Sequence, residues 1–250
     1  MKAMPLTDQD LINKFKLKPS DRILDIGGGS KQHDQINIHT LVDILPPEKA
    51  PYTYASKLKA RHFVQLNIET DPLPFPDNHF DFILCTHTLE DLHSPLHIIK
   101  EMSRVGKKGY IATPSRGIDM VFTDFDITNW LTGARRVPGL AHHKWFFENK
   151  KGVLHLTPKN YPLLYSSEFQ YVDWSGPDEC QYSWQKQINI KYDPKLDIDI
   201  HLLIKNYRRF ISQNQNHLRK ATTNIFIDDP ITIAKAYLKL LLKRGVGFRQ

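Results

Sequence analysis

Apolar residues in the first half of the chain fall into short runs, each closed by an acid, a glycine or a proline. Arg22 to Ile26, Thr40 to Ile44, His62 to Ile68, Phe80 to Cys85 and Tyr110 to Thr113 read as five strands. Near-continuous runs of this kind suit strands buried on both faces, the environment of a parallel sheet covered by helices. Between them the period changes. Leu11, Ile12 and Phe15, behind Thr7 and Asp8 as caps, predict a helix ahead of the first strand. Ile98, Ile99 and Met102 predict another over Leu96 to Val105, closed by Lys107-Lys108-Gly109. Ser30 to Asn37 has room for about two helical turns. Leu45 to Arg61 reads as a loop with a short helix, and Asp71 to Asp77 as a proline-stiffened loop. Strands alternating with helix-length segments predict an α/β fold with a doubly wound, mostly parallel sheet.

Past Pro114 the alternation stops. Ser115 to Lys151 mixes charged residues with Phe122, Phe125, Trp130, Trp145, Phe146 and Phe147. Segments that follow strand carboxyl ends overlie the ligand crevice of such folds, so 115–160 is expected to be a lid or acceptor-binding insertion. Gly152 to Leu156, Phe169 to Trp174 and Gln187 to Tyr192 read as late strands that close the sheet as an antiparallel edge. Pro230 to Gly245 reads as a basic amphipathic helix. The expected organisation is an α/β domain over 1–200 and a basic helical extension over 201–250.

Composition narrows the setting. A chain of 250 residues buries a full core without staples, and its two cysteines, Cys85 and Cys180, are too few for a disulfide framework. No apolar leader follows Met1 and no run is long enough to span a bilayer, so a cytoplasmic location is expected. The formal charge of +7 is unevenly placed, because ten basic and two acidic residues fall between His201 and Gln250. Such a surface favours an anionic partner, yet no nucleic-acid motif accompanies it and the pattern specifies no oligomeric state.

Candidate chemistry centres on Asp25-Ile26-Gly27-Gly28-Gly29, where an apolar run closes on an acid and breaks into glycines. Glycine permits positive φ and close approach of a ligand to the main chain. Asp43 ends the second run at the distance where nucleoside-binding α/β folds place a ribose-binding carboxylate. His93 and His97 stand four apart after Glu90 and Asp91, with His142-His143 elsewhere in the chain. Pro95 interrupts that pair as a helix start and no cysteine pair joins it, so no metal site is expected.

Four pieces together resemble a class I S-adenosylmethionine-dependent methyltransferase of the type 11 kind. They are Ile23 to Gly29, Val42-Asp43, Leu73 to Asp81, and Thr88-Leu89-Glu90 followed by Glu101 to Val105. The resemblance implies a Rossmann-like fold and S-adenosyl-L-methionine as cofactor. Gly27 and Gly29 would meet its methionine portion over a turn ordered by Asp25, and Asp43 would bind the ribose. Asn67 would accept from the adenine amino group, with Ile68 on the adenine face. Thr86 and His87 would border the sulfonium. His87 is the expected base, because an unperturbed imidazole of pKa about 6.5 is largely neutral near pH 7. His142, His143 and Trp145 are expected at the acceptor, a small or anionic molecule. Two positions depart from the pattern: Lys31 replaces the third motif glycine, and Asp91 stands where many relatives carry histidine. They motivate the alternative, a catalytically inactive protein of this fold that binds a partner through its basic surface.

Overall fold

Five parallel strands form the centre of the computed structural model, which describes residues 5–30, 32–49, 57–120, 139–140, 142–173 and 175–220. They are β1 (Ile23–Ile26), β2 (Thr40–Asp43), β3 (His62–Gln65), β4 (Phe82–Thr86) and β5 (Lys108–Pro114), ordered β3-β2-β1-β4-β5. β1 lies between β2 and β4, with Leu24 opposite Thr40 on one side and Ile83 on the other. The two-residue period of a strand then sorts the side chains. Leu24, Ile26, Val42, Ile83, Cys85 and Ile111 face helix α2 (Pro95–Val105), which contributes Ile98, Ile99, Met102 and Val105. Ile23, Leu41, Phe82, Leu84, Tyr110 and Ala112 face the other way, onto Leu11 and Phe15 of helix α1 (Asp8–Phe15). A reciprocal capping box starts α1: the Asp10 amide donates to Thr7 Oγ1 at 3.2 Å, and the Thr7 amide to Asp10 Oδ2 at 2.9 Å.

Several expectations require correction. The 30–37 segment makes no α-helix among the described residues beyond a 3₁₀ turn at Gly28–Ser30. Asp8 captures it instead, accepting from the amides of Asp34 and Gln35 at 2.8 Å each and pairing with the His33 ring at 2.6 Å. The antiparallel edge is β9 (Glu179–Gln185), zipped to β5 from Pro114 opposite Glu179 to Lys108 opposite Gln185. Its Cys180, Tyr182 and Trp184 point inward.

The expected late strands pair elsewhere. β6 (Trp145–Lys150) and β7 (Val153–Pro158) form a hairpin through Lys151 and Gly152, both at positive φ, and β10 (Ile190–Lys191) adds to β7. β8 (Tyr171–Asp173) pairs with β11 (Leu218–Lys220). Short helices α3 (Arg116–Met120), α4 (Tyr161–Leu164) and α5 (Lys195–Ile198) precede α6 (Ile200–Gln213), which lies at the start of the segment expected to be a helical extension. Asp199 caps α6, and its Leu203, Tyr207 and Phe210 share a core with Met120, Phe146, Leu164 and Phe169. The described part of 201–250 is thus packed onto the segment that follows β5. The predicted helix over Pro230 to Gly245, with Lys31, Phe122, Phe125 and Trp130, lies outside the described residues. Among the described residues no helix is long and apolar enough to cross a membrane.

Candidate active site

The chain leaves β1 through Gly27, whose φ is 74° and whose amide donates to Val42 O at 2.9 Å. Asp43, at the tip of β2, reaches back across the gap. Its Oδ2 accepts from the Gly29 amide at 3.0 Å and its Oδ1 from the Leu45 amide at 3.3 Å. One carboxylate therefore ties two strand tips together. The approach is close enough that a Cβ on Gly29 would lie 2.7 Å from Asp43 Oδ2. Beneath the turn Asp25 is buried, and its Oδ1 has no hydrogen-bond partner among the described residues. Burial pushes its carboxyl up to about 6, with Asp43 and Asp8 adding to the rise and His33 opposing it.

A cavity of about 560 Å³ opens over these tips, a size ordinary for small-molecule sites. Gly27, Gly29, Asp43, Asn67 and Ile68 line it, and so do His87, Glu90, Asp91, His142 and His143. The Asn67 amide oxygen already accepts from Glu69 N at 3.1 Å, which leaves it one lone pair. Thr86 lies apart from this group, in a second hollow of about 490 Å³ between α1 and the glycine turn, which His87 also borders.

His87 sits at a strand end with φ 52°, an unusual conformation for a residue with a Cβ. Its Nε2 is 2.8 Å from Glu179 Oε1 and its Nδ1 is 3.5 Å from Glu90 Oε1. The Glu179 hydrogen bond, reinforced by Glu90, raises the imidazole to about 9. Near pH 7 the ring is therefore a cation, in contrast to the neutral base expected from sequence. Glu90 is buried, and its second oxygen, Oε2, has no hydrogen-bond partner among the described residues.

Two distant loops are spliced beside this pair. The Lys144 amide donates to Glu90 O at 2.6 Å, its ammonium to Asp91 O at 2.5 Å, and the Trp145 indole to Leu92 O at 2.9 Å. Trp145 is a brace here and is not among the residues lining the cavity. The splice brings His142 and His143 over the crevice. His143 is buried, with Nδ1 3.0 Å from Asp119 Oδ1. Asp119 in turn accepts from Lys159 Nζ at 2.9 Å and Leu140 N at 3.1 Å, and the nearby His143 and Lys159 keep its carboxyl low despite burial.

Sequence reasoning did not single out Glu90, Asp119, Lys159 or Glu179 as site residues. Glu90 lay within a quoted motif, and Glu179 heads a strand whose alternation Cys180, Tyr182, Trp184 was there to be read.

Residues 24–112 match the model of a family described as a methyltransferase domain. A search of curated proteins finds no match. Among solved structures, the chain is similar to an S-adenosylmethionine-dependent methyltransferase from Aquifex aeolicus, at 26% identity and a TM-score of 0.33 over 44% of this chain and 66% of that one. It is also similar to an S-adenosylmethionine-dependent methyltransferase from Methanosarcina mazei, at 24% identity and a TM-score of 0.33 over 46% of this chain and 60% of that one. The YcgJ protein of Bacillus subtilis matches at 24% identity and a TM-score of 0.32, over 42% of this chain and 49% of that one. The match thus spans between about half and two thirds of those proteins.

Proposed function

We propose, for a chain whose residues 24–112 are a class I S-adenosylmethionine-dependent methyltransferase domain, that it transfers a methyl group from S-adenosylmethionine to a small acceptor. The observation that carries this reading is the convergence of Gly27, Gly29, Asp43, Asn67 and Ile68 on one cavity at the carboxyl ends of β1 to β3. The donor set fits the cofactor. Asp43 offers acceptor oxygens to ribose hydroxyls, Asn67 offers an amide to the adenine edge, and Ile68 supplies an apolar face. Gly27 and Gly29 line the cavity where the methionine portion would lie, over a turn beneath which Asp25 is buried.

When bound, the cofactor supplies an electrophilic methyl group, so the protein's contribution is alignment and the handling of a proton. His87, held as a cation by Glu179 and Glu90, suits hydrogen-bond donation to the acceptor better than proton removal. Glu90, with one oxygen unpaired, is the better candidate to take a proton. The 560 Å³ cavity supports a small acceptor. Its carboxylates, Asp43, Glu69, Glu90 and Asp91, do not favour a free anion. His142 and His143 belong to the acceptor side in this reading, and Thr86 supports the wall from behind.

Calorimetric titration with S-adenosylmethionine or S-adenosylhomocysteine tests the proposal. Both should bind in the micromolar range, and Asp43→Ala should weaken binding about 10- to 100-fold, the worth of hydrogen bonds to a charged group. Absence of binding at millimolar ligand would overturn it.

A further inference from the structure

We infer that Asp91, His142 and His143 form a site for a divalent transition-metal ion on the acceptor side of the cavity. The ligand atoms converge: Asp91 Oδ1 is 3.6 Å from His142 Nε2 and 3.7 Å from His143 Nε2. All three lie within 4.8 Å of one another. Those spacings are too long for hydrogen bonds. The two Asp91 distances are close to the roughly 3.4 Å that bonds of about 2.1 Å impose at tetrahedral angles, and His142 is exposed at the rim. Asp91 Oδ1 is a buried oxygen with no hydrogen-bond partner among the described residues, an arrangement that is costly until something sits between it and the imidazoles.

The surroundings are those of a ligand set. Asp119 Oδ1 lies 3.0 Å from His143 Nδ1, so a carboxylate stands beside the ring nitrogen other than the Nε2 that is 3.7 Å from Asp91 Oδ1. Lys159 and the Leu140 amide hold Asp119 in turn. The Lys144 and Trp145 hydrogen bonds fix the Asp91 loop against the His142-His143 loop before any ion arrives. Two imidazoles and one carboxylate suit zinc, cobalt, iron or manganese better than calcium or magnesium. Three protein ligands leave at least one coordination position open, as in sites that also bind a substrate. Because the group lines the cavity, that position would be filled by an acceptor with an oxygen donor. This last step rests on the methyl-transfer reading; the ion site itself does not.

The full-length protein, stripped with a chelator, would be titrated with zinc chloride by calorimetry, and with cobalt chloride by visible absorption. One equivalent per chain should bind with micromolar or tighter affinity, and cobalt should show the bands of a low-coordinate site. His142→Ala, at an exposed position that should not disturb folding, and Asp91→Asn should each weaken binding by about tenfold or more. Asp119→Asn should cost about 10- to 100-fold, as for outer-shell partners generally. Failure to saturate with either metal, or equal affinity in the wild type, His142→Ala and Asp91→Asn, would overturn the inference. A parallel titration of the metal-free protein with S-adenosylhomocysteine keeps the two readings apart: cofactor binding without metal binding rejects the ion site alone, and metal binding without cofactor binding rejects methyl transfer alone.

Discussion

Gly27 and Gly152 have nearly the same backbone conformation, φ 74° and 77°, in very different surroundings. A Cβ on Gly27 would lie 2.3 Å from Thr88 Oγ1 and 2.4 Å from its Cγ2, whereas one on Gly152 would meet nothing within 4 Å. Replacing either by alanine places a Cβ in the left-handed region, at about 1–2 kcal/mol. Gly27→Ala adds forced overpacking, typically about 1–3 kcal/mol, for a total of roughly 2–5 kcal/mol. With about 2–4 °C per kcal/mol for a chain of this size, Gly152→Ala should melt about 2–8 °C low and Gly27→Ala about 4–20 °C low. A double-mutant cycle isolates the clash. Thr88→Ala removes the two nearest of the three offending atoms, leaving a Cβ at 2.9 Å, and gives up the hydroxyl proton shared between Ile26 O at 3.3 Å and Thr86 O at 3.2 Å, so alone it should cost about 1 kcal/mol. In the Gly27→Ala background it should instead recover about 1–2 kcal/mol, measured by denaturant unfolding of all four proteins. If Gly27→Ala were no worse than Gly152→Ala, or the coupling energy were near zero, the close approach of the glycine turn to the β4 loop would not be what makes glycine necessary at position 27.

Two further outcomes concern pH. The His87 ring should titrate near 9 by NMR and move down in Glu179→Gln; the stability it contributes is complete below about 6.5, its unfolded value, and is lost as pH rises through 9, so a wild-type ring titrating near 6.5 would contradict the ion pairing. Asp25, raised to about 6 by burial, with Asp43 and Asp8 adding and His33 opposing, should make the cofactor-free protein less stable as pH rises from about 4 through 6, by up to roughly 3 kcal/mol; a slope of unfolding free energy against pH that persists unchanged in Asp25→Asn would assign the effect elsewhere.

Legibility in the sequence followed the range of each interaction. The five central strands and α2 were written in local runs and periods, and Asp43 in its place at the end of one run. The likeness carried by Leu73 to Asp81 and Glu101 to Val105 acquires its reason only in three dimensions. Arg104 donates to Leu73 O at 2.9 Å, Phe75 O at 2.7 Å and Asp77 Oδ1 at 3.0 Å while paired with Glu101, so one side chain clasps the proline loop to α2. The edge strand β9 was missed although its alternation is regular, because three neighbouring segments alternate as well and pattern alone does not choose a partner.

Local order along the chain sufficed for the doubly wound sheet, the glycine turn and the carboxylate beside it, since burial and main-chain geometry act within a few residues. Tertiary structure decided the charge of His87, whose partner Glu179 is 92 residues away, and the meeting of Asp91 with His142 and His143. Protonation and ligation are set by what lies within a few ångströms, and across those separations only the folded chain fixes which groups are neighbours.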